Sequence, residues 1–226
     1  MPEEVRQVQF RVRGNKACFS RPELKVERVS YEVMTPSAAR GLIENVLWKP
    51  EMYYEIRAIS VLNPIKIIEF RRNEVKGRAQ LGKHDFYTED ERTQRNTVAL
   101  KNVDYVVTAV IGLTQPIGAR ASLDKYEDMF YKRVSAGQCI RHPWLGCREF
   151  DAYVSLAPAE YSTFDERRVR QLGFMHYDHD YRFSPPLPLV FKAVLDRGTV
   201  HIPSRAAVLD FNNTDGGPSL SRQGGR

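Results

Sequence analysis

Residues 176–181 read His-Tyr-Asp-His-Asp-Tyr, the densest run of side chains able to hold a metal or move a proton. On a strand, His176, Asp178 and Asp180 share one face, and Tyr177, His179 and Tyr181 take the other. Two carboxylates and an imidazole together can bind a divalent cation. A metal site also needs ligands converging from elsewhere in the fold, so a polar outer strand face is the stronger reading. Lys83-His84 sets a cation beside a titratable imidazole, but Asp85, Glu89, Asp90 and Glu91 follow and offset it. A solvated loop is the stronger reading there.

Lys125 is more informative. The helical pattern of 122–136 starts near Ser122, an N-cap residue type, which puts Lys125 in the first turn. A cation there opposes the helix macrodipole. A helix N-terminus with a lysine is a seat for a phosphate. The plainer alternative is a solvated lysine balanced by Asp124 or Asp128. Tyr126 lies on the apolar face, where simple core packing is the plainer alternative. The phosphate-loop pattern GxxxxGK[ST], the GxSxG elbow, HExxH and CxxC are all missing from the sequence. Nucleotide hydrolysis, serine hydrolysis and zinc proteolysis therefore lose their usual signatures.

These residues must be positioned by elements that the hydrophobic pattern outlines. Residues 7–13 alternate strictly, with Val8, Phe10 and Val12 on one face and Gln9, Arg11 and Arg13 on the other, which predicts a half-buried strand. Thr35 as N-cap and Pro36 at the first helical position open a helix. Its apolar face is Ala38, Ala39, Leu42, Ile43, Val46 and Leu47, and Pro50 ends it. Strands are expected over 53–62, 65–71 and 97–113, the last with a bend at Asn102. Residues 79–97 lack periodicity and read as a loop or hairpin tip. The second helix closes at Gly137. Further strands are expected over 152–156, 174–183, 188–195 and 198–203.

The order strand–helix–strand–strand–strand–helix, with one more strand, is the ferredoxin-like split βαβ pattern. The expected class is α+β. A ferredoxin-like domain over 1–150 is followed by a small antiparallel sheet over 151–208 and a disordered tail over 209–226.

Composition narrows the setting. The 226 residues are 42% hydrophobic and 27% charged, which excludes bulk disorder. No apolar run approaches the roughly 20 residues needed to span a bilayer. The N-terminus has no apolar stretch of the kind that a signal peptide needs. Three cysteines, Cys18, Cys139 and Cys147, are odd in number and not spaced for zinc, which points to a reduced, cytoplasmic setting. Lys plus Arg number 34 against 28 acidic residues, a net charge of +6 that favours a polyanionic partner.

Several short motifs occur in a distinctive order: RPELKVERVSYEVMTPSAARGLIE (21–44), WKPEM (48–52), VLNPI (61–65), RRNEV (71–75), NVDYVV (102–107), AGQC (136–139), LGCREF (145–150) and FKAVLDRGTVHIPSR (191–205). With these motifs the chain closely resembles the CRISPR-associated "Cas five" family of subtype I-C, a branch of the RAMP proteins. The resemblance spans roughly residues 5–205. It implies a ferredoxin-like, RRM-related N-terminal domain with an extended β-hairpin and a small C-terminal antiparallel sheet. It implies cleavage of the repeat hairpin of precursor CRISPR RNA without metal or other cofactor, the RNA's own 2′-hydroxyl being the nucleophile. It also implies that the protein stays on the 5′ handle as a subunit of the Cascade surveillance complex. The implied partners are CRISPR RNA, the backbone subunits, the large subunit and, through the complex, target DNA; no membrane is implied.

Active members of that family carry a Tyr at the end of the first helix and a Lys-His pair at the start of the second. Lys125 matches the Lys. The His position holds Tyr126, and the helix-one Tyr position holds Leu47. The expected catalytic residues are therefore Lys125 and Tyr126, and a phenol with an ordinary pKa of about 10 is a poor base at neutral pH. Tyr53, Tyr54, His84 and His142 are possible substitutes that the sequence does not place near Lys125. The expected RNA contacts are Arg11, Arg13, Lys16, Arg21, Lys25, Arg28, Arg40, Arg71, Arg72 and Arg148. A protein that keeps this basic surface but lacks the Tyr and His could also be a cap that holds the 5′ handle without cutting.

Overall fold

The alternation at the N-terminus becomes strand β1 (Arg6–Ala17), in which Val8, Phe10 and Val12 are fully buried. The computed structural model describes residues 4–24, 26–77, 87–114, 119–165 and 167–213. A two-residue strand β2 (Arg28–Val29) precedes helix α1 (Pro36–Val46). Thr35 caps α1 by accepting from the Ala38 N–H, as its residue type predicts. Strands β3 (Met52–Val61), β4 (Ile67–Val75) and β5 (Arg92–Leu113) follow, then helix α2 (Ala119–Ser135). The remainder is β6 (Tyr153–Leu156), β7 (Val169–Asp180), β8 (Leu187–Asp196), β9 (Thr199–His201) and helix α3 (Arg205–Asn213).

One nine-stranded sheet runs in the order β6-β1-β5-β3-β9-β8-β7, with β2 and β4 also paired to β5. Every pairing is antiparallel except β2 with β5. The chain is thus an α+β protein built mostly of antiparallel sheet. Phe10 of β1 meets Phe130 of α2 edge-to-face at 5.9 Å, so α2 covers the apolar face of β1. The buried residues of α1, Ala39, Leu42, Ile43 and Val46, belong to the same core. The sheet continues across residue 150: β6 pairs with β1, and β9 links β8 to β3. Among the described residues no helix is long and apolar enough to cross a membrane.

Three expectations change. Residues 92–97, expected in a loop, belong to β5 and pair with β4 from Val75↔Arg92 to Phe70↔Thr97. This arm is polar on both faces, so it shows no apolar period although its backbone is fully in register. Of that loop, residues 79–86, with Lys83 and His84, lie outside the described residues, and 87–91 form a turn into β5. Asn102 has φ 53° and bends β5 without ending it. The second helix begins at Ala119 and not near Ser122. Alanine and arginine are good helix formers, and they carry the helix back through 119–121. Finally, residues 209–213, expected as the start of a disordered tail, complete α3. The Asn212 side chain accepts from the Val190 N–H and donates to its C=O at 2.7 Å, docking α3 on β8. Residues 214–226 lie outside the described residues.

Candidate functional site

The connection from α1 to β3 brings the candidate groups together. Leu47 is the C-cap of α1 and fully buried, so the side chain at this position supports packing and no proton chemistry. Residues 49–52 then turn tightly, with the Met52 N–H donating to the Lys49 C=O at 3.1 Å. Arg133 of α2 donates to the Val46 C=O at 2.9 Å, satisfying an orphan carbonyl at the end of α1 and fastening the two helices.

Tyr126 is buried on the apolar face of α2, yet its hydroxyl reaches the turn and donates to the Glu51 carboxylate. That bond, with burial, pushes the phenol pKa up to about 12. The same bond holds the Glu51 carboxyl below its ordinary range, helped by the charges of Lys49 and Lys125. Lys125 is exposed and is the seventh residue of α2, outside the first turn. The macrodipole argument for it therefore falls, and its electrostatic partner is Glu51. Two lysines, a carboxylate and a phenol that keeps its proton at neutral pH make up the group. Its lysines can offset charge on a phosphoryl oxygen, while the phenolic proton stays with Glu51. Glu51 carries no individual role in the sequence reading; it lies in WKPEM (48–52), a carboxylate in a tight helix-to-strand turn.

The basic residues divide by partner. Arg11 makes a bidentate bond to buried Asp104 at 2.9 and 2.6 Å. Arg28 pairs with Glu74 at 3.0 Å and Glu149 at 3.5 Å, and Arg72 also bonds Glu149. Arg21 lies over the Tyr31 ring at 4.4 Å and pairs with Glu23. Arg40 grips Asp178. Arg13, Lys16, Arg71 and Arg148 are exposed and have no ion-pair partner among the described residues. Lys16 lies over Phe70, and Arg148 over Trp144. Arg28 and Arg72 converge on Glu149, whereas Arg40 sits apart beside β7. Lys25 lies outside the described residues.

The His-Tyr-Asp-His-Asp-Tyr run ends β7, but its faces do not alternate as expected. A bulge between His176 and Asp178 breaks the register. His176 and His179 consequently lie with ring centroids 4.6 Å apart instead of on opposite faces. The Asp178 oxygens accept from Arg40 at 2.5 and 2.9 Å and from Arg205 at 3.1 Å. Those of Asp180 accept from Arg182. The carboxylates serve guanidinium partners. His142 sits on the surface, 3.2 Å from Asp151. Tyr54 is buried in the core, and Tyr53 lies across Gly112 on β5.

Comparison with known proteins gives this geometry its context. Residues 8–209 match the family described as CRISPR-associated protein (Cas_Cas5). A CRISPR pre-crRNA endoribonuclease Cas5d of Mannheimia succiniciproducens is 38% identical over 213 residues, covering 87% of this chain and 94% of that protein. The protein of the same name from Thermus thermophilus is 45% identical over 186 residues, covering 82% and 79%. A solved CRISPR-associated protein shares the fold, with a TM-score of 0.69 at 19% identity, covering 92% of this chain and 97% of that one. A family match over nearly the whole described chain, with relatives aligned along most of their own length, leaves one assignment: this chain belongs to the CRISPR-associated Cas5 family.

Proposed function

We propose that the chain is a metal-independent endoribonuclease that cuts the repeat hairpin of precursor CRISPR RNA and stays on the 5′ handle as a subunit of the type I-C Cascade complex. Family membership supports this reading, since two close relatives are named pre-crRNA endoribonucleases. The ribose 2′-oxygen attacks the adjacent phosphorus in line; the O2′–P bond forms while the P–O5′ bond breaks. A base takes the 2′ proton, and the 5′-oxygen gains one. The products are a 2′,3′-cyclic phosphate and a 5′-hydroxyl. Lys125 offsets the charge growing on the non-bridging oxygens. Tyr126, whose single phenolic proton is engaged by Glu51 and whose pKa that bond and burial push up to about 12, is not the base; it fixes the turn that carries Lys49 and Glu51.

The observation carrying this assignment is the contact between α2 and the α1–β3 turn: Tyr126 bonded to Glu51, with Lys49 and Lys125 acting on the same carboxylate. The order β6-β1-β5-β3, with α1 and α2 as crossovers, supports a ferredoxin-like, RRM-related half over 1–150. The paired arms of β4 and β5 fit its extended hairpin, and β7, β8 and β9 fit the C-terminal sheet unit over 151–208. The partners are the 5′ handle, the backbone subunits, the large subunit and, through the complex, target DNA; the setting is the cytoplasm.

The test is cleavage of the host's repeat hairpin in excess EDTA by wild type and Lys125→Ala, with a 2′-deoxy substrate as control. Cutting should survive EDTA, fail on the deoxy linkage and fall about 10²-fold or more in the variant. A variant that cuts at the wild-type rate removes Lys125 from the mechanism. Buried Leu47 and the Tyr126 proton held by Glu51 favour a second reading, a 5′-handle cap that binds without cutting. Tight binding by wild type with no product would establish it.

A further inference from the structure

A cleft of about 480 Å³ lies beside the reaction group, bounded by α1, the first half of β3, β7 and the start of α3. Its size falls in the ~300–1,000 Å³ range of small-molecule sites. Trp48, 46% exposed, lines it together with half-buried Tyr53 and buried Tyr177. β9 covers the outer edge of β3 only at Ala58–Ser60, and the residues before it, 52–56, line the cleft.

Charge decides what kind of ligand suits it. Arg40 and Arg205 both bond Asp178, Arg40 also approaches Glu44 at 3.6 Å, and the Arg205 N–H donates to Glu55 at 3.3 Å. Glu55 is itself paired with Arg57 at 2.9 Å, so three guanidiniums stand against three carboxylates, which leaves no positive excess for a phosphate. Burial raises the Glu44 carboxyl above its ordinary range despite the opposing charge of Arg40. A flat, neutral ligand with hydrogen-bonding edges suits aromatic walls and a mixed donor–acceptor end. The cleft and the reaction group share one chain segment. Trp48 and Met52 line it, and the turn between them carries Lys49 and Glu51, the acceptor of the Tyr126 hydroxyl.

We propose that this cleft receives one unstacked base of the RNA next to the cut linkage, stacked on Trp48. The proposal rests on the endoribonuclease reading and names the subsite that holds the substrate strand in place. Holding that base fixes the sugar–phosphate beside Lys125, which is a positioning role and not a proton-transfer role.

The experiment measures binding of the full chain to its repeat RNA, intact and with a single abasic nucleotide stepped along each side of the cut. Wild type should lose about tenfold or more in affinity at one position, the effect of one lost base stack. Trp48→Ala should lose a similar factor on intact RNA and nothing further with that abasic substrate, while Trp48→Phe restores affinity to within about threefold. The salt dependence should be the same for wild type and Trp48→Ala, since no phosphate contact is lost. Losses that simply multiply at every abasic position overturn the proposal, as does a shallower salt slope in Trp48→Ala. If wild type binds and cuts the repeat but Trp48→Ala matches it, only the base subsite fails. If wild type does not bind the repeat, the functional reading and the subsite fall together.

Discussion

Replacing Asp178 by Ala should destabilise the fold by ~2–3 kcal/mol, a figure that follows from the contacts of one carboxylate. Its side chain is 6% exposed and accepts three guanidinium N–H groups, at 2.5 and 2.9 Å from Arg40 and 3.1 Å from Arg205. Those bonds tie α1 and α3 to the end of β7. Removing one partner of a buried ion pair costs roughly 3–5 kcal/mol. Arg40 is 32% exposed and keeps Glu44 nearby, so solvent and that carboxylate absorb part of the loss. In a chain of this size the melting temperature should fall roughly 5–10 °C.

Urea unfolding at pH 7 on Asp178→Ala, Arg40→Ala and the double variant measures the coupling between the two groups. A loss under about 0.5 kcal/mol, or additivity within about 0.5 kcal/mol, would refute the reasoning. The pH dependence has a definite sign. Burial pushes the Asp178 carboxyl up, but the bonds and charge of Arg40, with Arg205, outweigh it and leave the carboxyl below its ordinary range. Its contribution is therefore complete above the unfolded value of about 3.9 and is lost as pH falls through the lower folded value. The stability difference between wild type and Asp178→Ala should shrink below about pH 4.

Three further outcomes are expected. Tyr126→His sets an imidazole beside Glu51 and Lys125; the cutting rate should rise by ~10²-fold, and the pH–rate profile should gain a limb near the imidazole pKa. An unchanged rate and profile would show that this position does not face the reacting RNA. Arg71→Ala, which removes an exposed cation on β4 with no ion-pair partner among the described residues, should flatten the salt dependence of RNA binding by about one phosphate contact. Arg11→Ala should instead lower the melting temperature first, because it strips buried Asp104 of a bidentate partner. Equal salt slopes for wild type and Arg71→Ala would remove Arg71 from the interface.

Local chemistry made much of this protein legible from its residues alone. The alternation of 7–13 has one apolar face, and a strand with one buried face is specified by period two, so β1 appears where the pattern puts it. Thr35 and Pro36 start α1 because their preferences are properties of single residues and their immediate neighbours. The ordered motifs point to the family, and Lys125, already marked by the helical pattern, matches its lysine. Where the local signal was weak, the outcome was decided elsewhere. Residues 92–97 are polar on both faces and become strand only because β4 lies alongside. Asn212 reads as tail composition until its amide finds Val190.

The pairing of charges is what only the tertiary structure decides. Arg11, Arg28 and Arg72 look like free cations in the sequence, and each meets a carboxylate far along the chain. Asp178 reads as part of a polar outer strand face, yet it is buried and Arg40, 138 residues away, occupies it. Glu51 has no assigned role within WKPEM, yet α2 brings Tyr126 to it across 75 residues and fixes where the phenolic proton goes. Strand periods and helix caps depend on neighbours within a turn or two, which the sequence records. A charge takes its meaning from whatever lies a few ångströms away in the low-dielectric interior, and only the folded chain places that neighbour there.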